Sequence, residues 1–116
     1  MPELTLDTET LQGLVDTTDT EFVGELITTF LADTPPLIAQ LRQALTAGDA
    51  GTFRRAAHSL KSNGASLGAM EFSSQARALE MLGKAGTITD AAAGVDQLAV
   101  EYERARVALE AWQHAA

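Results

Sequence analysis

Apolar residues recur at spacings of three and four along most of this chain, and no segment of any length alternates apolar with polar residues. Successive helical residues turn by ~100°, so these spacings line one face of a helix, whereas a half-buried strand needs a period of two. The chain is thereby restricted to amphipathic helices. The pattern predicts a short first helix from about Glu9 to Val15, with Leu11, Leu14 and Val15 apolar and Thr8 as its N-cap. Thr18 and Glu21 have the capping-box spacing and open a second helix, whose stripe is Phe22, Leu26, Ile27, Phe30 and Leu31. Asp33-Thr34-Pro35-Pro36 interrupts that stripe before Leu37, Leu41 and Leu45 resume it. Proline is tolerated in a first turn and disrupts an interior, so either one kinked helix or two pieces is allowed; the continuing stripe favours the kink. Gly48 closes this helix and Asp49 or Thr52 caps the third, with Phe53, Ala57, Leu60, Gly64 and Leu67 facing inward. Gly68 marks a bend, after which Phe72, Ala76, Leu79 and Leu82 form a fourth helix ending near Gly83 to Gly86. Thr89 or Asp90 caps the last, where Val95, Leu98, Tyr102, Ala105, Leu109 and Trp112 keep helical spacing. Short loops between long helices make neighbours antiparallel. The expected fold is all-α, an antiparallel up-down four-helix bundle with a short additional N-terminal helix.

A chain of 116 residues makes one domain, expected over 1–116, with a core large enough for a bundle but not for a nucleotide-binding domain beside it. Hydrophobic content of 46% with only 5% aromatic implies a core of Leu, Ala and Val with a few Phe, in which helices approach closely. No apolar run nears the ~18 residues that a membrane span needs, and no basic-then-apolar signal pattern opens the chain. Without cysteine there is neither a disulfide framework nor a thiolate metal site, and the two histidines, His58 and His114, make no histidine-rich site. These features suggest a cytoplasmic protein with no membrane partner. The net charge of −8 argues against nucleic acid. Its distribution is uneven: residues 42 to 84 hold six Lys or Arg against three acidic residues, while the flanks hold two against thirteen. A positive island on an acidic protein suits an acidic partner surface or a phosphoryl group.

His58 lies in that island, one residue past the inward stripe of the third helix. Lys61, Ser62 and Ala65 share its face, which points to water. A cation one turn from an imidazole does not favour the imidazolium, but it does help the ring carry a dianionic group. The bend near Gly68 and Ala69 sets a second carboxylate level with it. His58 is ten residues before Gly68 and Glu80 eleven after Ala69, so at ~1.5 Å per residue both lie roughly 15 Å from the bend. Glu80 at that position can accept a hydrogen bond from imidazole Nδ1–H, fixing the tautomer and leaving Nε2 outward as a nucleophile.

Residues 57–68, Ala-His-Ser-Leu-Lys-Ser-Asn-Gly-Ala-Ser-Leu-Gly, closely resemble the signature of histidine-containing phosphotransfer (HPt) domains, the modules of two-component phosphorelays. That pattern is roughly Ala-His-x-Leu-Lys-Gly-Ser-x-x-x-Leu-Gly, and Ala57, His58, Leu60, Lys61, Leu67 and Gly68 match it. Two departures are Ser62, where Gly is most usual, and Gly64, which costs a helix about 1 kcal/mol relative to Ala. The resemblance implies that His58 is the phosphoacceptor, that Lys61 stabilises phosphoryl oxygens, and that Glu80 takes the orienting place usually held by Gln or Glu. Ser62, Gly64, Ala65 and Gly68 then keep the docking face flat, and Arg54, one turn before His58, is a candidate partner contact. Leu11 and Leu14 are candidates for an apolar docking patch. No role is assigned to His114.

The resemblance further implies a phosphoryl carrier whose partners are response-regulator receiver domains and a hybrid sensor kinase. No cofactor or metal is expected on this chain, with Mg²⁺ on the receiver. No Gly-rich phosphate loop is present to support ATP hydrolysis or autophosphorylation. The dimerisation and phosphotransfer helices of sensor kinases also carry a histidine, but usually with an acidic residue directly after it, where Ser59 stands here. A chemotaxis-kinase phosphotransfer domain would need a linked ATP-binding domain. A non-phosphorylated adaptor with the same fold is the alternative function. Four inward stripes can satisfy one another, so a monomer is expected. The sequence is compatible with a stand-alone protein or a piece of a larger kinase.

Overall fold

The computed structural model describes residues 6–115, with the side chains of His114 and Ala115 outside the described set. Five helices occupy the described residues: α1 Thr8–Thr17, α2 Thr20–Ala47, α3 Ala50–Ser66, α4 Met70–Ala85 and α5 Ala92–Ala115. Helix α2 packs on α3, α3 on α4, α4 on α5, and α5 returns to α2, closing a four-helix bundle with α1 laid against α2. The α3–α4 pair is the most extensively packed. The molecule measures 43 × 30 × 20 Å.

Aspartates start the first three helices. Asp7 Oδ1 accepts from the Glu9 amide, Asp19 Oδ1 from Phe22 and Asp49 Oδ1 from Thr52, each satisfying an amide that has no partner inside its helix. Thr8 is therefore already helical rather than the cap of α1. Thr18, expected to open α2, instead closes α1 by turning its hydroxyl onto the Leu14 carbonyl, 2.5 Å away. Helix α5 begins at Ala92, and the Ala91 carbonyl accepts its first bond from Val95, so neither Thr89 nor Asp90 stands at the cap position.

Both prolines lie inside α2, which is one helix. Pro35 has no N–H to give the Leu31 carbonyl, and the Tyr102 hydroxyl of α5 donates to that oxygen at 3.1 Å instead. Buried Thr34 turns its hydroxyl back onto the Phe30 carbonyl at 2.7 Å, which lets a polar residue lie in the apolar stripe. That stripe runs Val23, Ile27, Phe30, Thr34, Ile38, Leu41 and Ala44. It is shifted from the expected set: Val23 is fully buried while Phe22 is 43% exposed. Leu11 is likewise fully buried in the core and is unavailable as a docking residue, and Leu14 is half-buried against that core.

Two close approaches fix α3 against α4. A Cβ on Gly83 would come within 2.9 Å of the Arg54 Cα, so the missing side chain lets the α4 backbone lie directly on α3 beside His58. Toward the other end, a Cβ on Gly64 would meet the Phe72 ring at 2.7 Å. The turn between the helices needs a left-handed residue, and Gly68 supplies it with φ +77°. The Gly68 carbonyl accepts from the Asp7 amide at 2.6 Å, tying the start of α1 to this turn.

Candidate functional site

The α3–α4 hairpin brings His58 and Glu80 into contact. His58 Nδ1 lies 2.5 Å from Glu80 Oε2, and Lys61 Nζ donates to Glu80 Oε1 at 2.7 Å, so one carboxylate holds both residues through separate oxygens. An ionised carboxylate only accepts, so the hydrogen of the first pair is on Nδ1, and in the neutral ring the lone pair is then on Nε2. The Lys61 ammonium holds the Glu80 carboxyl below its ordinary range, partial burial pushes the other way, and the His58 bond adds to the lowering. Exposure falls from ring to carboxylate: 59% for the His58 side chain, 29% for Lys61 and 16% for Glu80. The imidazole thus stands in water on a sheltered polar base.

Neighbouring packing holds this base. Ala57 and Leu60 bury the inner face of α3, and Leu79 does the same for α4 next to Glu80. Ser73 of α4 donates to the Lys61 carbonyl at 2.9 Å, a cross-helix bond that fixes the turn carrying Lys61. An open groove of about 540 Å³ runs beside the ring, lined by Arg54, Arg55, His58, Ser59, Glu80, Met81 and Lys84. Arg54 is exposed at this groove. Ser62 and Ala65 are exposed on the His58 face.

Gly64 and Gly68 do not belong to that face. Both are buried: Gly64 receives the Phe72 ring, and Gly68 receives the backbone of Asp7, whose carbonyl would lie 2.5 Å from a Cβ there. Their small size serves packing between elements rather than access for a partner. The groove also contains four residues to which the sequence reading gave no role at the site, Ser59 among them. Lys84 stands four residues after Glu80, so helical spacing alone puts it on the same face. Arg55 and the 53%-exposed Met81 complete the wall, and the large exposed thioether beside a charged pair is the one apolar element there.

The family model of the Hpt domain matches residues 25–108, a span that holds His58, Lys61 and Glu80. A crystal structure of histidine-containing phosphotransfer protein B (HptB) from Pseudomonas aeruginosa PAO1 is similar to this chain with a TM-score of 0.90 and 26% identity, over 99% of each chain. No curated protein sequence matches. With an all-helical bundle, an outward histidine and a family match covering most of its length, the chain belongs to the Hpt domain family, the histidine phosphotransfer modules of phosphorelays.

Proposed function

We propose that this protein accepts a phosphoryl group on His58 Nε2 from the aspartate of one receiver domain and passes it to the aspartate of another. The observation that carries this reading is the exposed imidazole whose Nδ1 is bound by an ionised Glu80, with Nε2 unengaged and facing solvent. Attack by the Nε2 lone pair on phosphorus, in line with the departing aspartate oxygen, forms the P–N bond and returns the electron pair to the carboxylate. Phosphoryl transfer depends mostly on positioning and charge neutralisation, so a small site suffices.

Glu80 orients the ring. Lys61 stabilises the phosphoryl oxygens, and because an ammonium has three donors it can do so while keeping its bond to Glu80. Arg54 meets the acidic rim of the receiver, and exposed Ser62 and Ala65 leave room for its approach. The receiver brings its own Mg²⁺. The chain is a phosphoryl carrier rather than an enzyme, acting as a monomer in the cytoplasm between a hybrid sensor kinase and its receivers. No helix among the described residues is long and apolar enough to cross a membrane.

Incubation with phosphorylated receiver domains tests the proposal. The expected result is transfer of label to this chain in an acid-labile, base-stable form. An acid-stable label, or none from a receiver shown by titration to bind the His58 face, contradicts it.

A further inference from the structure

We propose that Glu80 makes phosphorylated His58 a good phosphoryl donor, by keeping a proton on Nδ1 while the phosphoryl group sits on Nε2. This rests on the carrier reading above and gives Glu80 a chemical task beyond orienting the ring. For orientation alone an amide oxygen would accept the same hydrogen bond. This chain instead presents a carboxylate, 2.5 Å from Nδ1, mostly shielded from solvent and anchored by Lys61 at 2.7 Å.

Once Nε2 carries phosphorus, the ring exists either with a proton on Nδ1, as a cation, or without one. From the cation, the P–Nε2 bond breaks with its electron pair going to Nε2, and the group that leaves is neutral imidazole with Nδ1–H in place. Phosphorus bonds to the attacking oxygen of a receiver aspartate or of water. From the unprotonated ring the same cleavage expels an imidazolate, a far poorer leaving group. With Nδ1–H retained, no proton moves at the ring in either direction of transfer, so acceptance and donation use one protonation state.

The charged side chains around the ring explain why a carboxylate is needed. Arg54, Arg55 and Lys61 come from α3, and Lys84 from α4; all four are cations that disfavour a positive ring. Glu80 is the anion among them, and it touches Nδ1 directly while Arg54, Arg55 and Lys84 line the groove. An opposite charge at contact distance favours the charged form of a group by about 1–3 pH units. The groove can therefore be basic enough to attract phosphoryl groups without stripping the proton from the ring.

Glu80→Gln isolates the charge, since the amide keeps the shape and the acceptor. Wild type and E80Q, both carrying His114→Gln, are phosphorylated with potassium phosphoramidate, which needs no receiver. Ring ¹⁵N resonances and phosphate release are then followed from about pH 6 to 9. The expected result is that Nδ1–H persists to a pH about one unit higher with Glu80 than with Gln. Release at pH 8 is then about tenfold faster in the protein retaining Glu80. Coincident ¹⁵N titrations and release profiles overturn the proposal. Separated profiles support it even if no receiver transfers phosphate to the chain, a failure that would count against the relay reading alone.

Discussion

Replacing His58 with Gln is expected to abolish phosphoryl acceptance while leaving the bundle as stable as before, within about 0.5 kcal/mol. The side chain is 59% exposed and is not part of the buried core, and Gln is at least as good a helix former as His. Glu80 loses one partner in this variant but keeps Lys61, so no buried charge is stranded. Far-UV circular dichroism and urea denaturation check the fold, and transfer from a phosphorylated receiver checks the function. Acceptance that survives in a folded His58→Gln protein would place the phosphoryl group elsewhere. Signalling that survives without acceptance would return the chain to the adaptor reading.

Phe72→Ala is expected to do the reverse, striking the fold. Its ring is fully buried, stands edge-on to Phe30 with centroids 5.4 Å apart, and fills the space left by the absent side chain of Gly64. Removing it takes away apolar burial, an aromatic pair and the filling of a closely packed α3–α4 contact, and small helical cores relax poorly around such a void. Large-to-small changes of this kind cost about 3–5 kcal/mol. Domains of this size have about 5–15 kcal/mol in total, so the variant should unfold at a much lower urea concentration with an unchanged dependence on denaturant. A loss below about 1 kcal/mol would mean that the Phe72–Gly64 contact does not hold the hairpin. Phe22→Ala, at a 43%-exposed position, serves as the near-neutral control.

The contrast between these two phenylalanines shows where the sequence is legible. Helical periodicity identifies every long helix and the bend at Gly68, because the stripes are long and the connections short. It does not choose between the adjacent apolar residues Phe22 and Val23 at the start of α2. Either phase continues into Ile27, and the choice depends on where α3 and α5 lie. Pro35 and Pro36 leave a kinked helix or two pieces open, with the kink favoured by the continuing stripe, for a similar reason. The hydroxyl that satisfies the Leu31 carbonyl comes from Tyr102, 71 residues away. The caps shifted by one residue, from Thr8 to Asp7 and from Thr18 to Asp19, because Thr and Asp are both good caps and stand side by side.

The site was more legible than the packing around it. His58 and Glu80 lie at nearly equal distances from the bend, and rigid helical rise turns that equality into contact. What spacing along one helix cannot show is competition for a partner: Lys61, assigned to phosphoryl oxygens, donates to Glu80 in this structure. Nor does it separate the two uses of a small residue. Ser62 and Ala65 leave a surface open, whereas Gly64 and Gly83 admit a ring and a backbone from the facing helix, and the sequence has the same small residues for both.

The most direct measurement is the atom that carries the phosphoryl group. Protein labelled with ¹⁵N in its imidazoles and phosphorylated by a receiver domain should show phosphorus coupling at Nε2 of His58, with Nδ1 still bearing its hydrogen. Coupling at Nδ1, at His114, or at no imidazole nitrogen would contradict the assignment of Glu80 to Nδ1 and of the chemistry to the outward nitrogen.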